Sequence, residues 1–100
     1  MDTIIRKRSE TLEITLNKLP INEIGKITKL KVKDNLKRRL QDLGLIENTI
    51  IKAMYKSPLK DPTAYQVRGS IIALRENDTK NIYISYDKNN KYLGDYNGIN

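Results

Sequence analysis

The segment that most limits what this chain folds into is D-N-L-K-R-R-L-Q-D-L-G-L, Asp34 to Leu45. Leu36, Leu40 and Leu43 recur at four and then three positions, which places them on one helical face. Lys37, Arg38, Gln41 and Asp42 fall elsewhere and stay in water. Asp34 or Asn35 is suited to cap the start, because a short side-chain oxygen there accepts an otherwise unpaired backbone N–H. Gly44 follows the last apolar residue, where a chain leaving a helix takes φ > 0, and Leu45 is placed to fold back onto the final turn. Both flanks of this segment read as strand or turn. The core must therefore be β-structure built around one short amphipathic helix.

One hundred residues suffice for one domain. The chain has neither cysteine nor histidine, which removes disulfides, zinc sites built on those residues, and the usual nucleophile–base pairs. No apolar run approaches the roughly 20 residues that span a membrane, and M-D-T-I-I-R-K-R-S-E lacks a signal-peptide core, so a cytoplasmic protein is expected. The net charge is +7 and unevenly spread. Eleven Lys or Arg face five Asp or Glu up to Leu40, and eight face seven beyond it. Lys29, Lys31, Lys33, Lys37, Arg38 and Arg39 form the densest cluster, opposed only by Asp34. Such a patch suits nucleic acid, an acidic protein or anionic lipid, and equally a solvated surface.

Taken in order, residues 1–13 read as a polar arm or short lead-in strand. Ile14, Leu16 and Leu19 lead to a turn at P-I-N-E-I-G. In I-T-K-L-K-V-K, Ile27 to Lys33, Leu30 and Val32 alternate with lysines, the period of a strand with one buried face. After the helix, Thr49 to Lys56 is the next strand. Ile51, Ala53 and Tyr55 are assigned inward, which leaves Ile50 and Met54 as exposed apolar candidates. S-P-L-K-D-P is a hairpin loop bracketed by Pro58 and Pro62. Thr63 to Arg68 is a strand with Thr63, Tyr65 and Val67 inward, and Gly69 permits a sharp bend. Ile71 to Arg75 is a short strand, E-N-D-T-K a turn or single helical turn, and Ile82 and Ile84 bury the last strand. Residues 86–100, rich in Asn, Asp, Gly and Lys, read as a tail. Five short strands with one helix between the first two core strands suggest a mainly β protein, a small closed antiparallel barrel.

These residues also carry a family resemblance. L-P-I-N-E-I-G-K-I from Leu19, R-L-Q-D-L-G-L from Arg39, S-P-L-K-D-P from Ser57, V-R-G from Val67, A-L-R from Ala73 and I-Y-I from Ile82 together resemble the FeoA domain. That is a small cytoplasmic SH3-like module of bacterial ferrous iron uptake. The resemblance runs over residues 14–85, with Asn22 and Asn48 where the family usually has turn glycines and Lys60 where its loop often has glycine. Asn tolerates φ > 0, so those two turns are expected to survive; Lys60 fits its loop less easily. The resemblance implies a non-enzymatic accessory protein whose partner is the cytoplasmic part of the transporter FeoB, any membrane association coming through that transporter. It marks Leu36, Leu40, Leu43, Gly44, Pro58, Asp61, Pro62, Gly69, Leu74 and Arg75 as structural and supplies no catalytic residue, cofactor or metal ligand.

No two carboxylates share an evident buried setting, which argues against an enzyme. Glu76 and Asp78 are hard oxygen ligands, but two carboxylates in a turn are more often an ordinary turn, so no iron site is expected. The alternative function is a basic nucleic-acid-binding or transcription-associated module. A single helix cannot form a helix-turn-helix, and Tyr55 and Tyr65 are assigned inward, away from any base. A protein partner is the better reading. Lys29, Lys31, Lys33, Lys37, Arg38 and Arg39 would then steer it, with Ile50 and Met54 as short-range contacts.

Overall fold

A computed structural model describes residues 11–88. Six antiparallel strands form one sheet in the order β1-β6-β2-β3-β4-β5. They are β1 (Thr11–Thr15), β2 (Ile24–Leu30), β3 (Ile50–Lys56), β4 (Thr63–Val67), β5 (Ser70–Leu74) and β6 (Ile82–Asp87). Helix α1 (Asp34–Asp42) joins β2 to β3, a single turn α2 (Glu76–Thr79) joins β5 to β6, and a 3-10 turn at Leu16–Lys18 follows β1.

The protein is mainly β with a helix between the first two core strands, as expected, but there are six strands rather than five. The sixth is β1, which takes Thr11–Glu13 from the expected arm and pairs with β6 from Thr11↔Asp87 to Thr15↔Tyr83. Tyr86 and Asp87, expected in the tail, complete β6. Among the described residues the sheet is an open ladder with β1 and β5 at its edges, not a closed barrel. The rest of the arm and tail lie outside the described residues.

The core gathers Leu16, Leu19, Ile27, Leu30, Leu40, Leu45, Ile51, Val67, Ile82 and Ile84. Helix α1 enters it through Leu40, 2% exposed, with Leu36 half-buried. Leu43 does not follow, being 46% exposed. The cause is the helix end. Gly44 holds φ +103°, the Gly44 N–H donates to the Gln41 carbonyl at 3.0 Å and the Leu45 N–H to the Leu40 carbonyl at 2.9 Å. This paired closure folds Leu45 back over Leu40, so Leu45 is fully buried where Leu43 was expected. The start differs too. Lys33 is the N-cap and makes no side-chain cap bond, while Asn35 Oδ1 accepts from the adjacent Leu36 N–H at 2.8 Å.

Two bulges explain the remaining departures. In β3, Ala53 opposes Tyr65 and Tyr55 opposes Ala64, so Met54 is an extra residue. Beyond it the alternation reverses, and Tyr55 turns out to 59% exposure instead of inward. Met54 is half-buried rather than exposed. Ile50 is buried as well, because Ile24 on the neighbouring β2 covers it in a small cluster on the sheet's other face. In β2, Ile27 opposes Ile84 and Lys29 opposes Tyr83, making Thr28 the second extra residue.

The turns keep the expected conformations. Asn22 and Asn48 hold φ +74° and +73°, and Lys60 holds φ +72° despite its Cβ. Arg68 at +51° and Gly69 at +83° have the positive pair of a two-residue type I′ hairpin between β4 and β5.

Candidate partner-binding cleft

Lys29 projects from the end of β2, Lys37 and Gln41 from one face of α1, and Ile46, Glu47 and Asn48 from the loop before β3. Together with Leu30 they line an open cleft of about 520 Å³. Each wall has a local cause. Lys37 and Gln41 are one helical turn apart and share a face. The loop is pinned by the Asn48 N–H donating to the Ile27 carbonyl at 2.7 Å and the Thr49 N–H to the Ile46 carbonyl at 3.1 Å. Leu45 points into the core, so Ile46, its neighbour, is turned outward at 39% exposure.

Beside the cleft, Lys29 Nζ lies 5.3 Å and Lys31 Nζ 5.6 Å from the centre of the Tyr83 ring. The ring face attracts both ammonium groups and holds two like charges close together. Of the expected basic cluster, the structure thus brings together Lys29, Lys31 and Lys37. Lys33 is exposed at the helix start, and Arg38 and Arg39 are exposed on α1. At about 100° per residue, Arg39 projects some 200° around the axis from Lys37, away from the cleft.

Ile50 and Met54, the expected exposed apolar residues, are not exposed, the first being buried against Ile24 and the second half-buried. The exposed apolar residues beside the helix end are Ile46 and Leu43. Sequence periodicity missed them because the reversal at Gly44 exchanges the inward residue from Leu43 to Leu45. Glu47 adds one carboxylate to the lining and moderates its positive charge.

A second, polar niche of about 40 Å³ lies between Asn17, Lys56, Lys60, Thr63, Tyr65, Glu76 and Thr79. It has room for about one water. Asp61 closes its edge: Oδ1 accepts from the Glu76 N–H at 2.9 Å, capping α2, and Oδ2 lies 3.9 Å from Arg75. Asn17 Nδ2 donates to Glu76 Oε2 at 3.3 Å. Burial raises the Tyr65 hydroxyl above its ordinary pKa, against hydrogen bonds with Thr79 and Thr63 that lower it. Among the described residues, no three His, Cys, Asp or Glu side chains are grouped to hold a metal ion. No helix among them is long and apolar enough to cross a membrane.

A small antiparallel β module with one helix between its core strands is the architecture of an SH3-like domain. A family model described as the FeoA domain matches residues 14–86, and the chain belongs to that family. Among solved structures it is similar to FeoA protein from Chlorobium tepidum, with 25% identity and TM-score 0.69 over 75% of this chain and 70% of that one. An FeoA-like protein from Clostridium acetobutylicum is 28% identical with TM-score 0.65, covering 76% of this chain and 87% of that one. FeoA of Stenotrophomonas maltophilia, complexed with zinc and described as a prokaryotic SH3 domain protein, is 25% identical with TM-score 0.63, covering 71% and 88%. No curated protein matches the sequence.

Proposed function

We propose that this protein is a non-enzymatic accessory module of bacterial ferrous iron uptake, working in the cytoplasm by binding the cytoplasmic part of FeoB. Membership of the FeoA family supports the process, and the Stenotrophomonas relative is put forward as a ferrous iron transport activating factor. The observation that carries the binding role is the cleft, where Lys29 and Lys37 converge beside an exposed Ile46. Basic groups on the rim raise the rate at which an acidic surface arrives, and a desolvated apolar contact lengthens the stay.

Surface plasmon resonance against the cytoplasmic domain of FeoB, at two salt concentrations, tests this. Lys29→Glu with Lys37→Glu should slow association roughly tenfold at low salt and much less at high salt. Ile46→Asp should mainly speed dissociation. Arg39→Glu, on the far side of α1, should do neither. Rates unchanged in all folded variants would place the interface elsewhere, and no binding at all by the wild type would remove the FeoB reading.

A further inference from the structure

The loop of residues 57–62, which joins β3 to β4, is closed by its own hydrogen bonds. The Ser57 N–H donates to the Pro62 carbonyl at 3.0 Å, the Lys60 N–H to the Ser57 carbonyl at 2.7 Å, and Ser57 Oγ to the Asp61 carbonyl at 2.7 Å. Asp61 in turn ties the loop to α2 through the Glu76 N–H and Arg75. Lys60 holds φ +72°, a conformation that a Cβ disfavours. All this order holds out a side chain that packs against almost nothing. Leu59, at 89%, is the most exposed large apolar residue among the described ones, and Tyr55, at the end of β3, is the next at 59%. A loop free to move would fold such a leucine back onto the sheet, away from water.

A single exposed leucine is ordinary, and its surroundings decide what it can meet. Lys56 and Lys60, both exposed, flank Leu59 in the same hairpin. The carboxylates nearby are already engaged: Asp61 with the Glu76 N–H and Arg75, and Glu76 with Asn17 Nδ2 at 3.3 Å. The hairpin end therefore presents an apolar tip, two ammonium groups around it and a tyrosine ring just behind. That order matches the layers of an anionic bilayer, hydrocarbon beneath a headgroup region that attracts lysine and holds the amphipathic ring of tyrosine. The net charge of +7 draws the whole chain to the same surface.

We propose that the β3–β4 hairpin tip is a contact point for an anionic lipid surface. Leu59 enters just below the headgroups, Lys56 and Lys60 lie against the lipid phosphates, and Tyr55 rests in the interface. One leucine and two lysines hold weakly, so the contact is reversible and sensitive to salt. The protein lies on the bilayer through this tip and does not cross it. The contact is independent of the cleft and of the FeoB reading.

Co-sedimentation of the full chain with vesicles of phosphatidylcholine, alone or with about 30% phosphatidylglycerol, tests this. The wild type should bind only the anionic vesicles, and high salt should release most of it. Each lysine at a charged surface strengthens binding about fivefold, so Lys56→Gln with Lys60→Asn should weaken it about 25-fold. Asn suits the φ of +72° at that position, so the loop keeps its shape. Leu59→Ser leaves the charge unchanged and should weaken binding about tenfold or more. Leu43→Ser, at the exposed end of α1, should change nothing. The chain has no tryptophan, so Leu59→Trp reports on the tip alone, and its emission should move to shorter wavelength with anionic vesicles. A wild type that stays in the supernatant with anionic vesicles overturns the proposal, whatever its behaviour with FeoB. So does binding that survives Leu59→Ser, which is attraction by charge alone, or a Leu59→Trp emission that lipid does not move. Vesicle binding unchanged in Leu59→Ser while FeoB binding is lost would assign the tip to a protein pocket instead.

Discussion

Gly44 and Gly69 both sit at positive φ, +103° and +83°, but a side chain added at each meets different surroundings. A Cβ at Gly69 has nothing within 4 Å, so Gly69→Ala measures backbone strain alone. That strain is about 1–2 kcal/mol, offset by the ~0.4–1 kcal/mol that alanine gains by narrowing the unfolded ensemble. A net loss of about 1 kcal/mol is expected. At Gly44 the φ is further from the left-handed well near +57°, and a Cβ comes within 3.0 Å of Arg68 Cδ. Gly44→Ala should therefore cost more, about 2 kcal/mol, and lower the melting temperature by roughly 8–16 °C. Gly44→Asn should be the mildest replacement, since Asn tolerates positive φ, and Gly44→Val the worst. Urea denaturation followed by circular dichroism or tyrosine fluorescence measures each. Arg68→Asn supplies the control, because it removes the Cδ contact and suits φ +51°. In that background the cost of Gly44→Ala should fall toward that of Gly69→Ala. A loss at Gly44 no larger than at Gly69, or below a few tenths of a kcal/mol, would refute the argument from the helix closure.

Leu40→Ala should lose about 2–5 kcal/mol and Leu43→Ala less than about 0.5 kcal/mol by the same denaturation, since only the first side chain is buried. Ile50→Asp should abolish the cooperative transition, because a carboxylate there would be buried against Ile24. Stability should fall as pH rises above about 10. Burial raises the folded-state pKa of Tyr65, and burial and the neighbouring Glu23 raise that of Tyr86, so the unfolded chain releases these protons first. Melting temperatures from pH 9 to 11.5 should show a shallower decline in Tyr65→Phe and in Tyr86→Phe.

The sequence made the helix legible because its signals are local: leucines at helical spacing and a glycine where the chain must reverse. The same locality explains which face was misread. Leu43 continues the spacing, yet the hydrogen bonds from Gly44 and Leu45 end the helix one residue earlier and hand its core position to Leu45. Strand existence was legible from alternation, but alternation assumes one buried face and no insertion. Ile50 broke the first assumption and Met54 the second. Strand β1 is legible only as an arm or a short lead-in strand, because its pattern, half-buried at Thr11, Ile14 and Thr15 and exposed at Leu12 and Glu13, has no clear period. Only its pairing with β6 makes it a strand. The cleft could be read in part, from the lysines, and not in its apolar member, which depends on where the loop returns.

The bulge at Thr28 joins the fold to the proposed site. Ile27 is fully buried, and unbroken alternation would carry Lys29, two residues on, to the same inner face. An ammonium group there would be desolvated without a partner, at a cost of several kcal/mol. The extra residue resets the alternation, so that Ile27 and Leu30 both point inward and Lys29 stands out over Tyr83. Thr28 itself is not idle, since its hydroxyl donates to Glu13 on β1 and ties the edge strand to the bulge. One inserted residue thus buries the strand's apolar pair and secures the neighbouring edge, and it also delivers the lysine that opens the cleft. The bulge sets Lys29 both over Tyr83 and in the cleft, where Lys37 reaches it from α1.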